Sequence, residues 1–231
     1  MGVEIIKDSK GKPHVVFDKN KSKEEDKIMG DKVDDYEILQ VLGEGSFGFV
    51  AKAKSRINHK IYAIKQMNLA KFKSDNEKKL CENEITILKN LDHPSITKYY
   101  KGIKEDNCIY IVMEFMDNGD LSGLIKVHKM LNKPIDEEKL WNIFIQAMKS
   151  LAFIHSKSLI HRDIKPENLF ISNDGIVKLG DFGVSASIVD DNKLQNMQKK
   201  LVSKLICAGT RVGTPPFMSP EMLKKTAYDL N

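Results

Sequence analysis

The run His161-Arg162-Asp163-Ile164-Lys165-Pro166-Glu167-Asn168 places a carboxylate, an ammonium and an amide within one short stretch. Asp181-Phe182-Gly183 adds a further carboxylate thirteen residues after Asn168. An amide oxygen and a carboxylate are hard-oxygen ligands suited to Mg²⁺ on a nucleotide. Asp163 can then accept the proton of an attacking hydroxyl. Between the two motifs, Leu169-Phe170-Ile171 and Ile176-Val177-Lys178-Leu179 flank Asn173-Asp174-Gly175, which predicts a hairpin. Such a hairpin returns the chain so that Asn168 and Asp181 face one small volume. Any one of these residues has a structural use, but chance would hardly supply the ordered set.

Gly43-Glu44-Gly45-Ser46-Phe47-Gly48 is a second chemical feature. Three glycines so spaced can simply make a hairpin. A dinucleotide-binding turn would need a helix to begin at the third glycine. Here Phe49, Val50, Ala51 and Ala53 read as a strand instead, and Val50 completes a G-x-G-x-x-G-x-V pattern. Glycines let a turn lie close over phosphates and offer backbone N–H groups to them. Lys65 ends Tyr62-Ala63-Ile64-Lys65, fifteen residues after Val50, where a hairpin sets its strand beside the loop. It is a candidate phosphate ligand whose flexible stem needs an acidic partner. Glu82 and Glu84 compete for that place; Glu84 lies four residues before Leu88 and shares its inward face.

The elements needed to hold these groups are legible around them. Ile38 to Leu42, Phe49 to Ala53 and Ile61 to Met67 predict three strands of a small antiparallel sheet. Leu80, Ile85, Leu88 and Leu91 recur at helical spacing over residues 78–91, and His93-Pro94 ends the element. Residues 109–115 predict a further strand, and a polar link follows around Asp117-Asn118-Gly119-Asp120. Residues 136–155 predict a long helix with an acidic first turn and a buried stripe of Trp141, Phe144, Met148 and Leu151. A β-rich first part precedes a helix-rich second part, which suggests two lobes.

At 231 residues the chain suits one domain or a little more, and its 41% hydrophobic and 30% charged residues are those of an ordinary globular protein. A net charge of +5 gives no demand for nucleic acid. Cys81, Cys108 and Cys207 stand far apart without a CxxC pair, which fits reduced thiols and a cytoplasmic setting. No apolar run approaches the ~18 residues of a membrane span. The start lacks the basic region of a secretion signal. Residues 1–35 are dominated by polar side chains and predict a mobile extension.

From the glycine loop through Ser219-Pro220-Glu221, residues 36–231 resemble a eukaryotic protein kinase catalytic domain. Tyr62, Ile164 and Ser219 depart from the usual residues, and none removes a catalytic group. Lys165 and Gly213-Thr214-Pro215-Pro216-Phe217-Met218 point to the serine/threonine branch. Asp181-Phe182-Gly183-Val184-Ser185 and the Met-Ser-Pro-Glu ending resemble NIMA-related or sterile-20-type kinases. The resemblance implies an α+β, two-lobed fold: a β-sheet N-lobe with one main helix at 36–113, a hinge at 114–119 and an incomplete helical C-lobe from 120. It implies that ATP lies between the lobes. Leu42, Gly43, Gly45, Gly48, Val50 and Ala63 would surround it, Glu114 and Met116 would offer hinge groups, and Asp120 would lie beyond them. Met113 would guard the rear pocket. Lys65, paired with Glu84, would bind the α/β-phosphates, while Asn168 and Asp181 would hold Mg²⁺. Asp163 would orient the substrate hydroxyl, Lys165 would steady the γ-phosphate, and Thr214 would hold both.

Regulation follows the same resemblance. The activation segment is 181–221, with Leu194, Met197, Leu201 and Leu205 at helical spacing inside it. Thr210 stands where activating phosphorylation falls, with Arg162 as the phosphate's partner and an upstream kinase as the agent. Leu88, Tyr99, His161 and Phe182 match a stack through the centre of the active domain. The aspartate helix that anchors that stack, and the arginine that pairs with Glu221, are expected beyond Asn231. Two classes of function stand at this point: a kinase acting on protein substrates, or a non-catalytic chain that binds nucleotide or partners. A small-molecule phosphotransferase is disfavoured by the peptide-platform motif from Gly213 to Glu221.

Overall fold

The computed structural model describes residues 3–7, 13–17, 29–45, 47–72, 84–183, 185–187 and 213–224. In chain order the elements are β1 (Val3–Lys7), β2 (Pro13–Phe17), β3 (Tyr36–Glu44), β4 (Gly48–Ser55) and β5 (Ile61–Asn68). A helix α1 (84–89), β6 (Tyr99–Glu105) and β7 (Cys108–Glu114) follow. Then come α2 (Leu121–Met130), α3 (Glu137–Ser156), β8 (Leu159–Ile160), β9 (Leu169–Ile171), β10 (Val177–Leu179), β11 (Ala186–Ser187) and α4 (Pro220–Lys224). The chain divides into two compact units. One comprises residues up to Lys71 with Tyr100–Phe115; the other comprises Phe72–Tyr99 and the residues from Met116 onward.

The first unit is a five-stranded sheet in the order β3-β4-β5-β7-β6. Strand period two sorts its side chains onto two faces. Across the sheet, Ala51 pairs with Ile64 and Ile64 with Val112, and all three are buried. Ala53, Tyr62 and Ile64 join Met29, Tyr36, Ile103 and Val112 in one core. Tyr62 meets Tyr36 and Tyr100 edge-on, at centroid distances of 6.0 and 5.3 Å. The alternate row runs Gly43, Val50, Lys65, Ile111. The candidate phosphate residues therefore share the face opposite this tyrosine core.

The polar N-terminal stretch holds more structure than its composition predicts. β1 and β2 pair antiparallel, Val3 opposite Phe17 and Ile5 opposite Val15. Met29 is buried in the sheet's core, and the Val33 N–H donates to Glu105 Oε2 at 3.0 Å. Lys101 pairs with Asp31.

In the second unit, α1 buries Glu84, Ile87 and Leu88; of the helix expected over 78–91, residues 78–83 lie outside the described residues and 90–91 fall past the helix end. The loop after α1 is bound to β10. Thr97 N–H donates to Leu179 C=O at 3.0 Å, and Leu179 N–H donates to Ser95 C=O at 2.8 Å. Helix α3 starts where its sequence indicates: Asp136 accepts the Lys139 N–H at 3.3 Å, with Glu137 and Glu138 suiting the positive end of the helix dipole. Its buried stripe is a correction. Ile143, Ala147, Ser150 and Ile154 are the buried residues, and Trp141, Phe144 and Met148 are 56%, 53% and 40% exposed. Leu151 is half-buried. The helix is apolar on two faces, and the face with small residues can approach β10 and β8 closely, whereas size alone had favoured the bulky one. Helix α2 went unread: Asp120 caps it by accepting the Gly123 N–H at 2.8 Å.

Candidate active site

The chemistry-bearing residues of the second unit are tied into one network. Asp163 Oδ2 accepts from Lys165 Nζ at 2.8 Å. Its Oδ1 accepts from the Thr214 N–H at 2.8 Å and the Thr214 hydroxyl at 2.9 Å. Lys165 Nζ also donates to Thr214 Oγ1 at 2.7 Å. Asn168 Nδ2 donates to the Asp163 carbonyl at 2.8 Å and to its Oδ2 at 3.2 Å. The contact expected of Thr214 with Asp163 and Lys165 is thus present. Gly213 makes it possible: at φ +101°, its absent Cβ would lie 2.7 Å from the Arg162 carbonyl.

Asp163 is buried, and burial alone would raise its pKa. Hydrogen bonds from Lys165 and Thr214, with the lysine's charge, outweigh that and hold the carboxyl below the ordinary carboxylate range. It is an anion at neutral pH, with lone pairs aimed by fixed donors.

His161 supports the stretch from beneath. Its Nε2 bonds the Gly180 carbonyl at 2.9 Å, and its ring meets Phe182 at 4.9 Å. Burial lowers its pKa against the opposing pull of the Gly180 carbonyl, Asp181 and Asp163, so the ring is neutral. Of the four residues matched to the central stack, Leu88, His161 and Phe182 are buried and Tyr99 is half-buried.

The predicted hairpin is β9–β10, with Leu169 opposite Leu179 and Ile171 opposite Val177. Gly180 N–H donates to the Asn168 carbonyl at 3.0 Å, which closes the hairpin's open end and sets Asp181 next to Asn168 in the fold. Arg162 (φ +68°) and Asp181 (φ +56°) are both in the left-handed region, a strained backbone that side chains other than glycine occupy at a cost. With Asn168 Nδ2 engaged by Asp163, its Oδ1 is the side chain's available acceptor. Among the described residues there is no cluster of three His, Cys, Asp or Glu. One amide oxygen and one carboxylate make the sparse donor set that Mg²⁺ accepts when phosphates and water complete its shell, so these residues fit that ion.

In the first unit, the glycine turn closes with a Gly45 N–H to Gly48 carbonyl bond of 2.8 Å. Its glycines divide by cause. A Cβ on Gly48 would fall 1.8 Å from the Gln66 carbonyl oxygen, so β5 itself excludes a side chain there. Gly43 and Gly45 meet nothing within 4 Å; the fold does not need them to be glycine, and the space above them suits a ligand. Val50 pairs with Lys65 and Ala63 with Met113, and Lys52 sets its ammonium 4.7 Å from the Phe115 ring centroid. Leu42 is exposed, Glu114 half-buried and Met116 buried. Lys65 and Glu84 belong to different units. Thr210 and the leucine-spaced stretch 194–205 lie outside the described residues.

Two residues escaped the sequence reading. Asp117 accepts from the Asn173 N–H at 2.8 Å and from its Nδ2 at 2.6 Å. Gln146 accepts the Val177 N–H at 2.8 Å. Neither belongs to a motif, and both act across long sequence separations that spacing does not reveal.

In the second unit, an ionised, buried aspartate held by lysine and threonine and a left-handed aspartate after a short hairpin make a phosphotransferase-type arrangement; the first unit separately carries a glycine turn over open space. Residues 36–231 match the protein kinase domain, and the chain belongs to that family. It is 37% identical over 202 residues to a protein named probable serine/threonine-protein kinase nek2 of Dictyostelium discoideum, covering 85% of this chain and 45% of that one. It is 32% identical over 208 residues to serine/threonine-protein kinase Nek2 of Homo sapiens, covering 87% and 44%. It is also 33% identical over 228 residues to the G2-specific protein kinase nimA of Emericella nidulans, covering 86% and 30%. The chain thus spans less than half the length of these curated relatives. Of the two subfamilies the motifs resemble, the NIMA-related one supplies these relatives.

Proposed function

We propose that residues 36–231 bind ATP and transfer its γ-phosphate to serine or threonine hydroxyls of protein substrates. The observation that carries this reading is the Asp163–Lys165–Thr214 network, an anion kept ionised beside a cation. Asp163 accepts the hydroxyl proton, and Lys165 steadies the γ-phosphate. Asn168 and Asp181 hold Mg²⁺, which when bound neutralises charge on the phosphate oxygens. Lys65 binds the α/β-phosphates and Glu84 holds its stem. Leu42, Val50 and Ala63 contact adenine, Gly43, Gly45 and Gly48 cover the phosphates, and Glu114 and Met116 offer backbone groups to the base. Met113 shapes the rear of the adenine pocket and Asp120 lies at its outer edge. Such a transfer depends mostly on position and charge.

Phosphate on Thr210, placed by an upstream kinase and paired with Arg162, orders the activation segment. A cytoplasmic setting is supported by the scattered cysteines. The test is incubation of the full chain with γ-labelled ATP, Mg²⁺ and a basic protein, with Asp163→Ala in parallel. Label on the substrate that disappears in the variant supports the kinase reading. Nucleotide binding without transfer, before and after phosphorylation of Thr210, supports the non-catalytic reading instead.

A further inference from the structure

The β9–β10 hairpin carries Asn168 just before its first strand and Asp181 two residues after its second. Each strand is three residues long, and a two-stranded hairpin of that size is at best marginally stable alone. Its turn is nevertheless gripped from two directions. On one side, both carboxylate oxygens of Asp117 accept from Asn173, the backbone N–H at 2.8 Å and Nδ2 at 2.6 Å. The backbone beside Asp117 joins in: Asn118 N–H donates to Ile171 C=O at 3.1 Å, and Ile171 N–H to Gly119 C=O at 2.8 Å. On the other side, Gln146 of α3 accepts the Val177 N–H at 2.8 Å and donates to Gly175 C=O at 3.2 Å. Asn142, one turn earlier, orients that amide by accepting from Nε2 at 3.1 Å.

Asp117 and Asn173 are exposed, so apolar packing does not explain their pairing. We propose that Asp117 and Gln146 are positioning residues that clamp the hairpin's turn from opposite sides and thereby fix Asn168 relative to Asp181 at its base. The hairpin is a short rigid lever: with the turn held and the base closed by Gly180 N–H to Asn168 C=O at 3.0 Å, neither end can swing. Removing either grip lets the turn tilt about that single base bond, so the two hard-oxygen side chains on either side of it lose their fixed separation. This rests on the proposed nucleotide reading, since it is Mg²⁺ that needs that separation.

The test uses the full chain and a fluorescent ATP analogue, titrated with and without Mg²⁺, together with hydrogen exchange of the hairpin amides. Asp117→Ala loses a charged acceptor of two bonds and is expected to reduce the Mg²⁺-dependent gain in affinity by about tenfold. Gln146→Ala is expected to reduce it by about threefold, with faster exchange at residues 171–177 in both. Affinity without Mg²⁺ stays at the wild-type value. Asp117→Asn, which keeps one acceptor oxygen, and Gln146→Glu, which keeps the acceptor for Val177, each recover part of the loss. Variants that keep the whole Mg²⁺-dependent gain, or that lose affinity equally with and without Mg²⁺, overturn the clamp. Unchanged hairpin exchange in both Ala variants overturns it as well, whatever the nucleotide does. A wild-type chain whose affinity ignores Mg²⁺ fails in a different, recognisable way: it removes the nucleotide reading, and the inference falls with it.

Discussion

Around Asp163, two carboxylate oxygens receive donors from Lys165, Thr214 and Asn168 within 2.8–3.2 Å, whereas the turn from Gly43 to Gly48 leaves Gly43 and Gly45 facing open space. The first region fixes atoms and the second clears room. A group that receives a proton must be held in place before the reaction, because a displacement of an ångström is costly in rate. A cover for phosphates needs exposed N–H groups and no side chains in the way. Residue types follow: paired charged and hydroxyl side chains in one region, glycine at every second or third position in the other.

The comparison breaks most decisively at Asp163. Asp163→Ala is expected to lower phosphotransfer by about 10³-fold, the scale of a lost general base, with nucleotide binding retained by a fluorescence titration. Thr214→Val keeps the backbone donor but removes the hydroxyl shared by Asp163 and Lys165. Transfer is expected to fall by about tenfold, as for a hydrogen bond to a charged group, and Thr214→Ser to recover most of it in the same assay.

The glycine turn sharpens the contrast through stability. Gly48→Ala drives a methyl into the Gln66 carbonyl and is expected to cost about 1–3 kcal/mol, as overpacking does. Gly45→Ala is expected to leave the melting temperature unchanged while weakening nucleotide binding. Thermal melts and titrations of the two variants, side by side, separate a glycine required by the fold from one required by the ligand.

The smallest effect is in pH. Burial holds the His161 pKa below its ordinary value, so the unfolded chain takes up that proton first as pH falls. The stability from the neutral ring is full above the ordinary value of ~6.5 and drains as pH falls through the folded one. His93 is shifted the same way by burial, against Asp92. Asp163 loses its contribution only further down, beginning near ~3.9 and continuing through its lowered folded pKa. Melting temperatures across this range should therefore decline in two windows. His161→Phe should make the upper one shallower, with the share of His93 remaining, and leave the lower.

What was legible in the sequence was what chemistry and local period dictate. The strands at Tyr36–Glu44, Gly48–Ser55 and Ile61–Asn68, the cap at Asp136 and the β9–β10 hairpin announce themselves through alternation, turn residues and caps. The Asp163–Lys165–Thr214 contact was reached through resemblance, because Thr214 lies 49 residues from Lys165 and no period connects them. Three things were hidden for physical reasons. Helix α2 mixes apolar and polar residues without a buried one among them. The working face of α3 sets the small Ala147 and Ser150 between Ile143 and Ile154, a mix that the bulkier Trp141, Phe144 and Met148 outweigh in a hydrophobicity count. Asp117 and Gln146 act through hydrogen bonds across 56 and 31 residues, a separation that only folding closes.

The most direct test of the central claim is phosphoamino-acid analysis after incubation with γ-labelled ATP and Mg²⁺, on wild type and Asp163→Ala, with Thr210 phosphorylated. Wild type is expected to place label on serine or threonine of the protein substrate, and the variant to place none above background. Transfer that survives Asp163→Ala, or its absence from a wild-type chain that binds Mg²⁺–ATP, would contradict that claim.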